Sequence, residues 1–185
     1  MWTLYSRGLL ACLFVVLVWA PAPASADMER LQPFFGHFVG HSLDTEGEGV
    51  SKRDFDVTIE ATDNNGFQVS WRTFIYRNNG DVKKKDFSIE FRPTDRSGIY
   101  TSAEKTDMFG ARIPSDPMKG DAYTWAVVGD QRLTVYGFAV TDDGGYEMQV
   151  YHRTLTDFGM NLEFSRQRED GVFRRISGTL RRVID

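Results

Sequence analysis

The chain has 185 residues, 41% of them apolar and 26% charged, with one cysteine and a formal net charge of −4. That is the make-up of one ordinary globular domain, and it excludes a disordered, collagen-like or disulfide-framed chain. The acidic balance leaves no electrostatic footprint for a nucleic-acid binder, and 14% aromatic residues with only 6 Pro favour strands.

From the N-terminus, residues 1–7 carry one positive charge and residues 8–20 none. Ala24-Ser25-Ala26 then has the small-x-small pattern accepted by signal peptidase. This predicts a signal peptide over residues 1–26, cut after Ala26, and a single domain over residues 27–185. The apolar run falls short of the roughly 20 residues of a spanning helix, so no stable membrane anchor is expected. Leu9-Leu10-Ala11-Cys12 resembles a lipobox, but most of the apolar run follows Cys12, the reverse of a lipoprotein leader. Cleavage removes Cys12 and leaves an acidic domain without thiols, held by its core alone. The expected location is the periplasm or the outside of the cell.

Residues 27–32 predict one helical turn, stopped by Pro33. Beyond it the apolar period is two almost throughout. Phe55, Val57 and Ile59 alternate with Asp56 and Thr58; Phe67, Val69 and Trp71 with Gln68 and Ser70; Phe87, Ile89 and Phe91 with Ser88 and Glu90. Tyr123-x-Trp125-x-Val127 and the apolar residues 133–140 follow. Then come Tyr146, Met148, Val150 and His152; Met160, Leu162 and Phe164; and Val172, Arg174, Ile176, Gly178 and Leu180. Asn64-Asn65-Gly66, Asn79-Gly80, Gly129-Asp130, Asp143-Gly144-Gly145 and Asp170-Gly171 supply hairpin turns between them. The pattern predicts an all-β fold, an up-and-down antiparallel barrel of 8–10 strands, because closure removes exposed sheet edges. A β-sandwich is the alternative, with residues 103–121 as the only segment long enough for a crossover.

The opening Gly36-His37-Phe38, Thr141-Asp142 before Tyr146, and Phe164-Ser165-Arg166 resemble the three signatures of lipocalin-like (calycin) barrels. The resemblance spans nearly all of residues 27–185. It implies that Gly36, Phe38 and Arg166 close one end of the barrel, the Arg packing across the first-strand aromatic. The hairpin strand after Arg166 departs from lipocalins, which place a helix there, and is similar to ten-stranded fatty-acid-binding and nitrobindin-like barrels.

Polar residues on apolar faces mark the candidate site. His152 shares its face with Tyr146 and Met148, and Arg174 lies between Val172 and Ile176. A buried charge needs a partner or a ligand, and a guanidinium fits a carboxylate or phosphate. The expected ligand-binding set is His152, Arg174, Tyr146, Trp71, Trp125 and Met148, facing a small hydrophobic or amphipathic molecule. Met108, Phe109, Ile113 and Met118 in residues 103–121 suggest an adaptable lid or a surface connector. No metal site is expected: on a strand, His37 and His41 stand roughly 13 Å apart. Asp44-Thr45-Glu46-Gly47-Glu48 reads as a solvated loop. No cofactor is expected, heme held by His152 being the minor variant, and nitrobindin-like barrels carry their His nearer the C-terminus. A monomer or weak oligomer is expected. Two other readings stay open: a non-catalytic envelope protein with a filled barrel, and a cavity enzyme using His152 with Asp142, Asp143 or Glu163.

Overall fold

A computed structural model describes residues 23–42, 50–106, 112–113 and 115–184. After helix α1 (Pro23–Leu31) and a 3-10 turn (Gln32–Phe34) the chain runs through β1 (Gly36–Ser42), β2 (Val50–Thr62), β3 (Gly66–Arg77), β4 (Val82–Pro93) and β5 (Ile99–Ser102). A small ribbon, β6 (Lys105–Thr106) with β7 (Arg112–Ile113), and a second 3-10 turn (Pro117–Lys119) interrupt it. The wall resumes with β8 (Tyr123–Val128), β9 (Arg132–Val140), β10 (Tyr146–Thr156), β11 (Gly159–Arg168) and β12 (Gly171–Arg182). Each wall strand pairs antiparallel with its neighbour along the chain, β5 meeting β8, and β1 pairs with β12 to close a ten-stranded barrel. The closed all-β barrel agrees with the alternating sequence and removes the sandwich alternative. Residues 1–22 of the expected leader, the acidic loop 44–48, Met108 and Phe109 lie outside the described residues, whereas residues 23–26 begin helix α1.

The hairpin chemistry acts where it was read. Asn64 and Asn65 both take positive φ, at 58° and 59°, the geometry of a two-residue turn that matches strand twist. Along β1 and β12 the backbones come very close: a side-chain carbon at Gly40 would collide with the Thr179 carbonyl and lie 2.7 Å from Leu180 Cα.

One end of the barrel is packed solid. Phe67 stacks on Phe91 at 5.0 Å, and Tyr100 meets Phe67 edge-on at 5.0 Å. Leu31 and Phe34, from the N-terminal helical segment, are buried in the same cluster with Phe38, Ile59, Leu133, Met160 and Leu180. Each large apolar side chain buried there contributes roughly 1.5–3 kcal/mol. Asp27 fixes α1 to the turn before β5: its carboxylate accepts from Ser97 Oγ at 2.7 Å and from the Gly98 amide at 2.8 Å. Helix α1 extends further toward the N-terminus than the single turn expected, and Pro33 sits inside the 3-10 turn that follows it.

The lock at this end is made by Arg182. Its guanidinium lies 4.5 Å from the centre of the Phe38 ring and donates to the carbonyls of Phe35 and Pro33. A side chain at Gly36, where φ is +139°, would run into that guanidinium. Gly36 and Phe38 therefore both sit against the Arg182 guanidinium. The arginine is corrected from Arg166 to Arg182, because β11 runs the other way and carries Arg166 to the opposite end.

Candidate functional site

Strand parity and register decide which side chains line the lumen. Phe38, Val57, Trp71 and Phe87 follow one another across β1–β4 on the inner face. On the far wall Leu133, Arg153 and Leu162 are register partners, as are Val135, Tyr151 and Phe164. Trp71 on β3 meets Tyr151 on β10 at 5.6 Å, a contact made across the lumen because these strands are far apart in the sheet. Trp71 also stacks on Phe87 at 5.2 Å, and Tyr151 on Phe164 at 4.7 Å. These four rings form a belt where the solid core ends.

Beyond the belt the inner face turns polar. β10 carries Glu147 and Gln149 inward, β11 Arg166, β12 Arg174, β2 Arg53, and β4 Lys83 and Lys85. Phe87 points inward yet is 49% exposed, so solvent reaches it. The wall is also incomplete there. β5 pairs with β4 only at Phe91, Arg92 and Pro93, leaving the stretch from Val82 to Glu90 with β3 as its only sheet partner among the described residues.

Arg153 is the anomalous group. It is 1% exposed, and its Nε and Nη1 make no hydrogen bond. Its guanidinium lies 5.7 Å from the Trp71 ring centre and 5.6 Å from that of Tyr151. Burial pulls its pKa down to about 10, which still leaves it charged at neutral pH. No ion pair to Arg153 occurs among the described residues. A buried guanidinium with aromatic faces but no carboxylate is incompletely satisfied, and an anion is its natural complement.

Glu147 organises the mouth. Its carboxylate lies 3.2 Å from Arg166 Nε and 3.1 Å from Arg168 Nη2, and it accepts from Gln149 Nε2 at 2.7 Å. Tyr151 donates to Gln149 Oε1 at 3.1 Å, so the polar ladder reaches the aromatic belt. Burial raises the Glu147 pKa, but the bond from Gln149 and the two arginines outweigh it and hold the carboxyl below its ordinary value. Opposite, burial lowers the Lys85 pKa, helped by repulsion from Lys83, Arg166 and Arg53. That repulsion comes from both sides of the barrel, as expected for charges facing one mouth.

The expected site residues divide. Trp71 lines the lumen, and Arg174 faces it as the register partner of Arg166. His152, Tyr146 and Met148 do not: their face of β10 is the outer wall, a correction to the alternation read from sequence. Trp125 is outside as well, because Ala126, its neighbour on β8, fills the core. There it stacks on Tyr136 at 4.8 Å, within an external aromatic strip that also pairs Phe138 with Tyr146 at 6.2 Å. The strip explains the misreading, since both faces of β10 carry rings. The residues missed were Arg153, Tyr151 and Gln149, on the inner face of β10, and Lys85 on β4.

His152 lies on the outer wall, facing away from the lumen, with Nδ1 2.9 Å from Thr134 Oγ1. Its neighbour Glu163 lies on that outer wall too, away from the lumen. His37 Nε2 is 2.9 Å from Asp56 Oδ1, also outside. Among the described residues no group of three His, Cys, Asp or Glu could hold a metal ion. In the segment expected to act as a lid, Met118 is 79% exposed, and Ala103 donates to the Glu90 carbonyl where the wall is incomplete. Compared with family models the chain matches none, and a comparison with curated proteins finds no similar one.

Proposed function

We propose that this protein is a calycin-like carrier that binds a small amphipathic anion in the open half of its barrel, after export to the periplasm by the leader over residues 1–26. The observation that carries the reading is Arg153, fully buried beside Trp71 and Tyr151 with Nε and Nη1 unbonded. The aromatic belt supplies apolar burial for the body of the ligand, and the guanidinium fixes its acidic group. The lysines and arginines of the mouth raise the local concentration of anions and speed their entry.

The test is titration of the purified protein with a fluorescent aromatic carboxylate and its neutral amide. The carboxylate is expected to bind at least about tenfold more tightly, the effect of one charge-assisted hydrogen-bonded contact. Equal binding of acid and amide, or binding unaffected by Arg153→Met, would overturn the reading. The solid core at the Arg182 end favours one other reading, a barrel filled throughout. Failure of every probe to bind would support it.

A further inference from the structure

We infer that the ligand of this lumen is a flat dianion, with one acidic group on Arg153 beneath the aromatic belt and a second above it on Lys85, on the wall facing Arg166. The inference rests on the lumen being a binding site, as proposed above, and adds what the ligand must look like. Its basis is the vertical order of groups. Arg153 contacts the rings of Trp71 and Tyr151, and Phe164 follows Tyr151 at 4.7 Å. Arg166 comes next, 5.9 Å from the Phe164 ring centre. On the opposite wall Trp71 is the register partner of Phe87, and Lys85 stands two residues nearer the mouth. Cation, ring layer, cation is therefore the sequence met from core to mouth on the β10–β11 wall, and on the β3–β4 wall the ring layer is followed mouthward by Lys85, with apolar Val69 and Ile89 beneath it.

Strand geometry sets the spacing. Gln149, the register partner of Arg166, is four residues from Arg153 along β10, about 13 Å at ~3.3 Å per residue. Lys85 lies roughly 7 Å mouthward of the Trp71–Phe87 pair on the same scale. Two connected aromatic rings with an acid at each end match that interval. The rings between the stations favour a planar body, because offset stacking rewards a flat π surface. Glu147 already serves Arg166 and Arg168, whereas Lys85 has no ion pair among the described residues and lies in a field of like charges. An incoming anion relieves that repulsion.

Three probes of one shape separate the stations: biphenyl-4,4′-dicarboxylate, biphenyl-4-carboxylate and biphenyl-4-carboxamide, measured by isothermal titration calorimetry. The dianion is expected to bind about tenfold more tightly than the monoanion. Lys85→Gln, with Lys85→Met as a second variant, should erase that ratio, weakening the dianion about tenfold more than the monoanion. Lys84 is the control: it faces outward and pairs with Asp86 at 3.1 Å, so Lys84→Gln should keep the ratio. Equal binding of dianion and monoanion overturns the two-station inference while leaving the carrier reading intact. An equal loss of the ratio in the Lys84 and Lys85 variants does the same, since it would reveal long-range attraction only. Binding of the carboxamide as tight as that of both acids overturns the carrier reading and the inference together.

Discussion

Replacing Arg153 by methionine separates stability from binding. The side chain is wholly buried, and moving its pKa from 12.5 to about 10 corresponds to about 3 kcal/mol of unfavourable desolvation at neutral pH. Its contacts with Trp71 and Tyr151 return about 1 kcal/mol each. Methionine keeps most of the volume and apolar reach without the charge, so packing is largely conserved. The ligand-free variant is therefore expected to be more stable by about 1 kcal/mol, a rise of roughly 2–4 °C in Tm for a domain of this size. At the same time affinity for an anionic probe should fall at least about tenfold. Urea unfolding at pH 7 and calorimetric titration of the same preparations read both quantities. The folded pKa lies below the unfolded one, so the penalty is complete below about pH 10, and the gain should not change between pH 6 and 8. A variant destabilised by several kcal/mol would refute the reasoning, because it would make Arg153 a structural staple of the aromatic belt.

The other side of the same strand supplies the contrast: His152→Ala, on the outer wall, should leave anion affinity within about twofold, measured by the same titration. Glu147→Gln should lower stability by about 1–2 kcal/mol at pH 7. Because the folded pKa of Glu147 is depressed, that difference should be full above its unfolded value and shrink as pH falls through the lower folded value, which acid titrations of both proteins would detect. Gly40→Ala should destabilise by more than about 3 kcal/mol or prevent folding, since the new carbon meets the β12 backbone rather than a yielding side chain; a thermal melt checks this. Arg182→Met should loosen the closed end, lowering Tm by several degrees with little effect on probe affinity.

The barrel was legible because closure follows from local information. Alternating runs define strands, Asn64-Asn65 and similar pairs define tight hairpins, and a string of hairpins pairs neighbours along the chain. The site was less legible. On β10 the chain reads Tyr-Glu-Met-Gln-Val-Tyr-His-Arg, rings on both faces, and apolar character alone chose the face of Tyr146 and Met148. A signal against that choice was present. Thr156 pairs with Gly159 across a two-residue turn, so with Met160, Leu162 and Phe164 inside, Leu155, Arg153 and Tyr151 must be inside too. A slip of one residue exchanges the faces, which is why turn length outweighs hydropathy here.

By itself, the sequence determined an all-β chain of short hairpins with an acidic surface and an aromatic budget large enough for a core. It also marked Phe38, Trp71 and Arg174 as residues to watch. Only the tertiary structure decided which arginine locks the closed end, that rings line the outside as well as the lumen, and that Arg153 is buried with no acid paired to it among the described residues. The physical reason is that alternation fixes two faces for each strand but does not name the inner one. That is settled when ten strands close and each register must satisfy both neighbours at once.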